Sequence, residues 1–224
     1  MEILYLSRDL VAVKKPPMMP SQPDPSGDPD LMGTLRDALQ QRGEREELFL
    51  IHRLDRTVGG VLVFARNKAS AARMSVALAE GKLQKEYLAV IDGRVESGTL
   101  EDYLIKDAKT SRAHAVPATR KGAKLARLSY EAIAYTEDEG RALTLVRIRL
   151  QTGRFHQIRI QFSSRHTPVL GDGKYGSRTN KCKIALFSHR LGFPDGNAER
   201  EVCALPELTR YPWNLFDKEI FQNV

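Results

Sequence analysis

The longest regular pattern in this sequence is an alternation of apolar and polar residues on both sides of one short turn. It occupies ARLSYEAIAYTEDEGRALTLVRIRL, which begins at Ala126, and the turn lies at residues 136–140. Two alternating runs joined by polar turn residues are typical of an antiparallel β-hairpin. We therefore predict a long antiparallel hairpin in this part of the chain.

Other candidate strands outnumber the candidate helices. Strands are predicted on both sides of residues 7–9, at 48–54, at 61–65, in KEYLAVIDGRV and in KIALFSHRLGF, and a hairpin with exposed loops at 96–124. Two helices are predicted, DLMGTLRDALQQRG with Asp30 as N-cap and KASAARMSVALAEG capped by Asn67. Because helices and strands do not alternate regularly, the pattern favours an α+β fold with a mostly antiparallel sheet over a doubly wound parallel one.

Composition narrows the class of protein further. The chain has 224 residues and a formal charge of +7, which favours a polyanionic partner such as nucleic acid. No apolar run is long enough to span a membrane, and the first residues do not resemble a signal peptide. Cys182 and Cys203 are too few for a disulfide framework or a cysteine zinc site. No domain boundary stands out, so we expect one domain over residues 1–224.

A proline-rich segment separates the first predicted strands from the first helix. Six prolines occur between Pro16 and Pro29, and such a segment cannot form a helix or a central strand. A long irregular stretch of this kind is either mobile or functional.

Two polar clusters could carry chemistry. In IHRLDRTVGG, Arg53 and Asp55 are two apart, so in an extended chain they face the same side while Leu54 points inward. Alone, such a pair is a surface ion pair of little consequence. The second cluster is QTGRFHQIRIQF, whose periodicity fits either a helix or a strand. Arg159 lies deepest in its apolar run, and a buried Arg needs an anion, for which Asp55 is available.

Five segments together resemble the large-ribosomal-subunit-type (RluA-like) pseudouridine synthases. They are HRLDRTVGGVLVFARN, KEYLAVIDG, TGRFHQIRIQF, PVLGDGKYG and ALFSHRLGF, and they occur in the order, and near the spacing, of that family. The resemblance implies a central, mainly antiparallel mixed sheet and two subdomains that flank a catalytic cleft. It leaves no room for the small N-terminal RNA-binding domain that many relatives carry.

The resemblance also assigns roles to individual residues. Asp55 is implied as the catalytic carboxylate, Tyr87 as the aromatic ring that stacks on a flipped uracil, and Arg159 as the cation that pairs with the Asp. Arg53 is implied as the side chain that fills the RNA helix where the target base has left. Ile158 and Leu186 are implied as walls of the uracil pocket. Further substrate contacts are expected from His52, Arg56, Arg154, Gln157 and Lys174.

These roles fit the chemistry of isomerising uridine in RNA. The N1–C1′ bond must break, the base must turn, and C5 must bond to C1′, which requires a base that has left the stack. Burial would oppose ionisation of Asp55 and a nearby Arg159 would favour it. Asp55 could attack the ribose, remove the C2′ proton or add to the base. The reaction is redox-neutral and atom-neutral, so we expect no metal or cofactor.

One departure from the family pattern concerns the turn beside Asp55. Relatives commonly have a Thr-Ser pair after HRLD, whereas this chain has Val58 and Gly59, which bears on substrate preference. We expect the Lys and Arg residues between Lys106 and Arg127 to help recognise the substrate. The expected partner is structured ribosomal or transfer RNA, with no membrane and no obligate protein partner, and the expected state is a cytoplasmic monomer. Two alternatives are an RNA-binding protein without turnover and a metal-dependent nuclease.

Overall fold

The computed structural model describes all residues from Met1 to Val224 and divides into two compact units. The first unit comprises Met1–Lys85 and Phe187–Pro206, and the second comprises Glu86–Leu186 and Glu207–Val224. In chain order the elements are β1 (Glu2–Leu6), β2 (Leu10–Lys15), α1 (Leu31–Gln40), β3 (Phe49–Leu50), β4 (Gly59–Ala65), α2 (Lys68–Ala79), β5 (Gln84–Asp92), β6 (Gly98–Asp107), β7 (Arg112–Val116), β8 (Lys124–Asp138), β9 (Arg141–Leu150), α3 (Gln157–Ser163), β10 (Leu186–Asp195) and β11 (Ala198–Cys203). Short 3-10 segments occur at Gly173–Tyr175, Trp213–Leu215 and Lys218–Gln222.

The first unit is organised around β4, whose seven residues are all buried. β2 pairs antiparallel with β1 on one side and with β4 on the other, and β3 adds a short antiparallel contact to β4. β10 joins β4 in parallel at two positions and pairs antiparallel with β11. A sheet with one parallel contact among antiparallel ones is mixed and mainly antiparallel, as the sequence pattern predicts.

The parallel contact between β4 and β10 requires a glycine. Gly60 has a φ of +122°, and a Cβ atom at this position would lie 2.1 Å from the carbonyl oxygen of Ser188. Only a residue without a side chain allows that backbone approach. The second glycine of the VGG turn is therefore a structural requirement of the first unit.

The helices of the first unit begin at the residues that the sequence predicts. The Asp30 side chain accepts a hydrogen bond from the Gly33 amide, and the Asn67 side chain accepts one from the Ser70 amide. Met74 and Ala77 on α2 belong to an apolar core with residues of β2, β4 and β10. The proline-rich segment contains no helix or strand, as predicted.

The second unit is built on the long hairpin. β8 and β9 pair over ten positions, and the turn is formed by Glu139 and Gly140 with φ of +50° and +76°. Two successive residues with positive φ are typical of the turns that close tight hairpins. In this unit the strand order is β5-β9-β8-β6-β7, so β7 is an edge strand. Trp213 is buried and packs edge to face against Phe221.

Two sequence expectations change, and one open alternative is settled. The strand predicted over residues 48–54 extends only over Phe49–Leu50, because the main-chain groups of Leu54 bind a side chain, Ser21, instead of a strand. β11 was not predicted, although the Asp-Gly-Asn turn that precedes it signals a hairpin. The ambiguous segment around Arg159 is a helix, α3.

Candidate active site

The predicted site residues fall in both units. His52, Arg53, Asp55 and Arg56 lie in the first unit, between β3 and β4. The second unit holds Tyr87, Arg154, Gln157, Ile158, Arg159, Lys174 and Leu186.

Asp55 lies on a short extended segment that leads into a turn. Exposure alternates along it as predicted: Arg53 is exposed, Leu54 is buried and Asp55 is partly exposed. The Ser21 hydroxyl donates to the Leu54 carbonyl at 3.1 Å and accepts from the Leu54 amide at 3.3 Å. The Val58 amide donates to the Asp55 carbonyl at 3.0 Å. The backbone on both sides of Asp55 is therefore fixed by hydrogen bonds.

A buried lysine supports the same turn. Lys15 has no exposed surface, and its Nζ donates to the carbonyls of Pro16, Met19 and Arg56 at 3.1, 2.6 and 3.2 Å. Burial lowers the pKa of Lys15 to about 8, while the negative charge of Asp55 acts in the opposite direction. Three carbonyl oxygens satisfy the three ammonium protons, which is the arrangement that a buried charge requires. Sequence analysis missed this residue.

The proline-rich segment holds Arg56. The guanidinium donates to the Ser26 hydroxyl at 3.0 Å, forms a close ion pair with Asp28, and lies 3.8 Å from Asp24. All of these groups are at least partly exposed. The proline-rich segment therefore contacts the residues on either side of Asp55, Leu54 through Ser21 and Arg56 through Ser26. Arg56 was expected to contact substrate, and in the free protein its guanidinium is held by this segment.

His52 is partly buried and its ring is uncharged at neutral pH. Burial, with a smaller contribution from the positive charge of Lys85, lowers the pKa of His52 to about 3. Its Nε2 accepts from the Val63 amide at 3.4 Å. A neutral ring that accepts from β4 contributes to the position of the segment before Asp55.

In the second unit, α3 presents Arg159 to a carboxylate that the sequence analysis assigned only to a turn. Arg159 Nε and Nη2 donate to the two oxygens of Asp172 at 2.7 and 2.8 Å, and both residues are buried. Its guanidinium also lies 5.0 Å from the ring centre of Tyr175. Two-point binding fixes the plane of the guanidinium. The pairing of Arg159 with Asp55 stays a prediction.

The other predicted site residues of the second unit differ in burial. Tyr87 on β5, Ile158 on α3 and Leu186 at the start of β10 are buried. Gln157 is also buried: its amide oxygen accepts from Thr152 and from the Arg154 amide, and its nitrogen donates to the Arg127 carbonyl. This side chain therefore fixes the loop before α3. Lys174 is partly exposed on the 3-10 segment.

The β6–β7 hairpin and the loop that follows it form a basic surface, which we call the basic arm (residues 103–125). Its exposed cations are Lys106, Lys109, Arg112, Arg120, Lys121 and Lys124, and none has a carboxylate within ion-pair distance. The one acidic residue in this range, Asp107, binds the amides of Lys109 and Thr110 in the hairpin turn. A surface of unpaired cations can neutralise the phosphate charges of a nucleic acid.

The chain is similar in sequence to known proteins. The family model described as RNA pseudouridylate synthase matches residues 9–164. The tRNA pseudouridine synthase C of Vibrio parahaemolyticus is 34% identical over 203 residues, which cover 85% of this chain and 80% of that protein. The ribosomal large subunit pseudouridine synthase D of Yersinia pestis is 32% identical over 84% of this chain and 56% of that protein.

A solved structure shares the fold. The human RNA pseudouridylate synthase domain containing 1 superposes with a TM-score of 0.76 at 23% identity and covers 99% of this chain and 93% of its own. The fold class is thus that of the pseudouridine synthases. Because the family model matches residues 9–164 and the two relatives are 34% and 32% identical over most of this chain, the chain belongs to the RNA pseudouridylate synthase family, enzymes that isomerise uridine in RNA to pseudouridine.

Proposed function

We propose that Asp55 is the catalytic carboxylate of this isomerase. One observation carries the proposal: the segment around Asp55 is fixed on both sides, by Ser21 on Leu54 and by Lys15 on Arg56, while Asp55 as a residue is partly exposed. Catalytic groups need such preorganised support. Asp55 would act on the ribose, on its C2′ proton or on the base, and the product contains the same atoms and electrons as the substrate.

Further side chains supply the surroundings of the reacting base. We propose that Tyr87 offers a ring face for the flipped uracil and that Ile158 and Leu186 provide apolar walls, since all three are buried. Arg159, with its plane set by Asp172, would supply the positive charge that keeps the catalytic carboxylate ionised. Because isomerisation is redox-neutral, this chemistry needs no cofactor.

Arg53 would occupy the gap that the flipped nucleotide leaves. It is exposed and adjoins the segment that Ser21 holds. An arginine side chain combines a planar stacking surface with a charge that meets phosphates, which offsets part of the cost of unstacking. Lys174 and Arg154, with their partly or fully exposed side chains, would contact the RNA backbone.

RNA is the substrate class, and we propose structured transfer or ribosomal RNA as the substrate. The printed names of the relatives include both classes. The basic arm supports a large polyanionic substrate, because six unpaired cations would each neutralise phosphate charge on binding. No helix is both long and apolar enough to cross a membrane. We further propose a cytoplasmic monomer without an obligate protein partner, which sedimentation of the purified chain at several concentrations would test.

Release of tritium from RNA labelled at C5 of uridine tests the proposed chemistry. Wild type, Asp55→Asn and Asp195→Asn would be incubated with pooled transfer and ribosomal RNA transcripts, with and without a chelator. Asp195→Asn is the matched control, since its carboxylate binds the Tyr5 hydroxyl at 2.8 Å elsewhere in the first unit. We expect release by wild type and by Asp195→Asn in both conditions, and none by Asp55→Asn.

Each alternative function predicts another result. Tight RNA binding by wild type without tritium release would favour the binding protein that lacks turnover. Cleavage of the transcripts that stops on adding chelator would favour the metal-dependent nuclease. Release that survives Asp55→Asn would show that another group performs the chemistry.

A further inference from the structure

Phe155, two residues before the start of α3, has an aromatic ring whose surroundings resemble a base-binding site. One face stacks on the neighbouring His156 ring, with centroids 3.8 Å apart and an interplanar angle of 19°. The backbone of His156 is left-handed, with a φ of +52°, which lets these two consecutive side chains stack. The Nζ atom of Lys106 lies 4.7 Å from the centre of the Phe155 ring. Since His156 covers one face, Lys106 must cover the other.

The covering group is an exposed lysine. Lys106 is exposed, on the edge hairpin, and has no carboxylate partner. Moving this ammonium away from Phe155 would open a flat aromatic face that is already supported from behind by His156. Phe155 packs against an apolar cluster that includes Leu104, Ala113 and Ala126, which supports the position of the ring.

Strand register places further cations around this ring. Lys106 pairs with Ala113 across β6 and β7, and Leu104 pairs with Lys124 across β6 and β8. Residues 104 and 106 share a face of β6, and paired residues share a face of the sheet, so Lys124 belongs to the same face as Lys106. Asp102 also lies on this face, but its carboxylate is paired with Arg165 at 2.9 Å.

Arg154 completes the group. It is exposed and adjacent to Phe155, and its Nε donates to the Leu125 carbonyl at 2.8 Å. Its terminal nitrogens have no protein partner, so an anchored guanidinium presents two donors to solvent. A supported aromatic face with several unpaired cations beside it is the combination that binds an unpaired nucleotide.

We propose that Phe155 is a stacking platform for an unpaired nucleobase of the RNA substrate, with Lys106, Lys124 and Arg154 meeting the adjoining phosphates. The base would displace the Lys106 ammonium from the ring, and that ammonium would then bind phosphate. This nucleotide is distinct from the target uridine, whose proposed stacking partner is Tyr87. The inference rests on the proposed function in so far as RNA is the ligand.

Two ring-sensitive variants and a control test the platform. The probe is a nine-residue oligouridylate with 2-aminopurine at its centre, whose fluorescence falls on stacking. Phe155→Leu removes the ring but keeps apolar volume, Phe155→Trp keeps an aromatic face, and Tyr135→Leu removes an exposed ring that lies 4.2 Å from Arg94 elsewhere in the second unit. We expect Phe155→Leu to weaken binding about tenfold and to abolish quenching. Phe155→Trp and Tyr135→Leu should stay within about twofold of wild type.

Three results would overturn the platform. They are wild-type affinity in Phe155→Leu, equal weakening in Phe155→Leu and Phe155→Trp, and equal weakening in Tyr135→Leu, because each shows that stacking on this ring is not the cause. Tritium release by wild type is measured separately. Loss of quenching in Phe155→Leu without any wild-type release would keep the platform and refute the isomerase, whereas normal release with unaffected quenching would do the reverse.

Discussion

Replacing Lys15 by Met should uncouple the Asp55 turn from its support and remove a pH dependence that the wild type carries. Lys15 has no exposed surface, and its ammonium joins the carbonyls of Pro16 and Met19 to that of Arg56. Methionine has a similar length but neither charge nor donors. The three carbonyls then lose their shared donor, and the turn that carries Asp55 loses its tie to the proline-rich segment.

The sign of the pH effect follows from the direction of the shift. The pKa of Lys15 is lowered from 10.5 to about 8 by burial, so between these values the unfolded chain binds more protons than the folded one. The free energy of unfolding must therefore rise with pH in that window. A shift of this size corresponds to about 3 kcal/mol, of which about 2 kcal/mol should be regained between about pH 7 and about pH 9.5.

The measurement is urea unfolding of wild type and Lys15→Met at several pH values. Other titrating groups cancel in the difference between the two proteins, so wild type should gain about 2 kcal/mol relative to the variant. Activity should fall as stability rises: the kcat of wild type for tritium release should decrease above about pH 8, because the cation beside Asp55 is lost. At neutral pH, Lys15→Met should be about 10- to 100-fold slower than wild type. A stability difference that stays flat with pH would refute a charged, buried ammonium.

Two further substitutions probe the structural requirements of each unit. Asp172→Asn should cost about 3 kcal/mol of unfolding free energy, because Arg159 keeps its charge and loses a buried carboxylate, whereas Glu131→Gln, at an exposed pair with Arg147, should cost less than about 1 kcal/mol. Gly60→Ala should prevent accumulation of folded protein, since its Cβ would lie 2.1 Å from the Ser188 oxygen, while Gly173→Ala, with no atom near its Cβ, should melt close to wild type. Equal losses in either pair would contradict the respective account.

Local patterns predicted the elements that depend on neighbours in sequence. The β8–β9 hairpin follows from alternation and a polar turn, and α1 and α2 follow from the caps at Asp30 and Asn67. The strand predicted over residues 48–54 is longer than the observed one, because a contact with a distant residue ends it. Its β-favouring residues continue past Leu50, but the partner of Leu54 is the Ser21 hydroxyl, 33 residues away, and nothing local announces it.

In the candidate site, too, local sequence predicts what a residue needs, whereas distant contacts decide which partner it has. Arg159 could be expected to need an anion because it lies in an apolar run, but the choice between Asp55 and Asp172 depends on how α3 meets the 3-10 segment. Asp172 stands beside Gly171, which has a φ of +78° and whose Cβ would lie 2.4 Å from the Lys183 carbonyl. The prediction of a tight turn therefore explains Gly171. It gave no indication that Asp172, the next residue, binds Arg159.

The proline-rich segment needs hydrogen-bond donors, and Lys15 needs acceptors for its buried ammonium. Prolines have no amide donor, so a segment rich in them cannot pair its carbonyls through a regular ladder. Where such a segment passes over buried structure, each carbonyl still needs a donor. Lys15 ends β2 and meets this need with three donors from one side chain, two for the segment and one for the Asp55 turn. The buried ammonium at the end of this apolar strand therefore lies where the proposed chemistry needs a fixed turn.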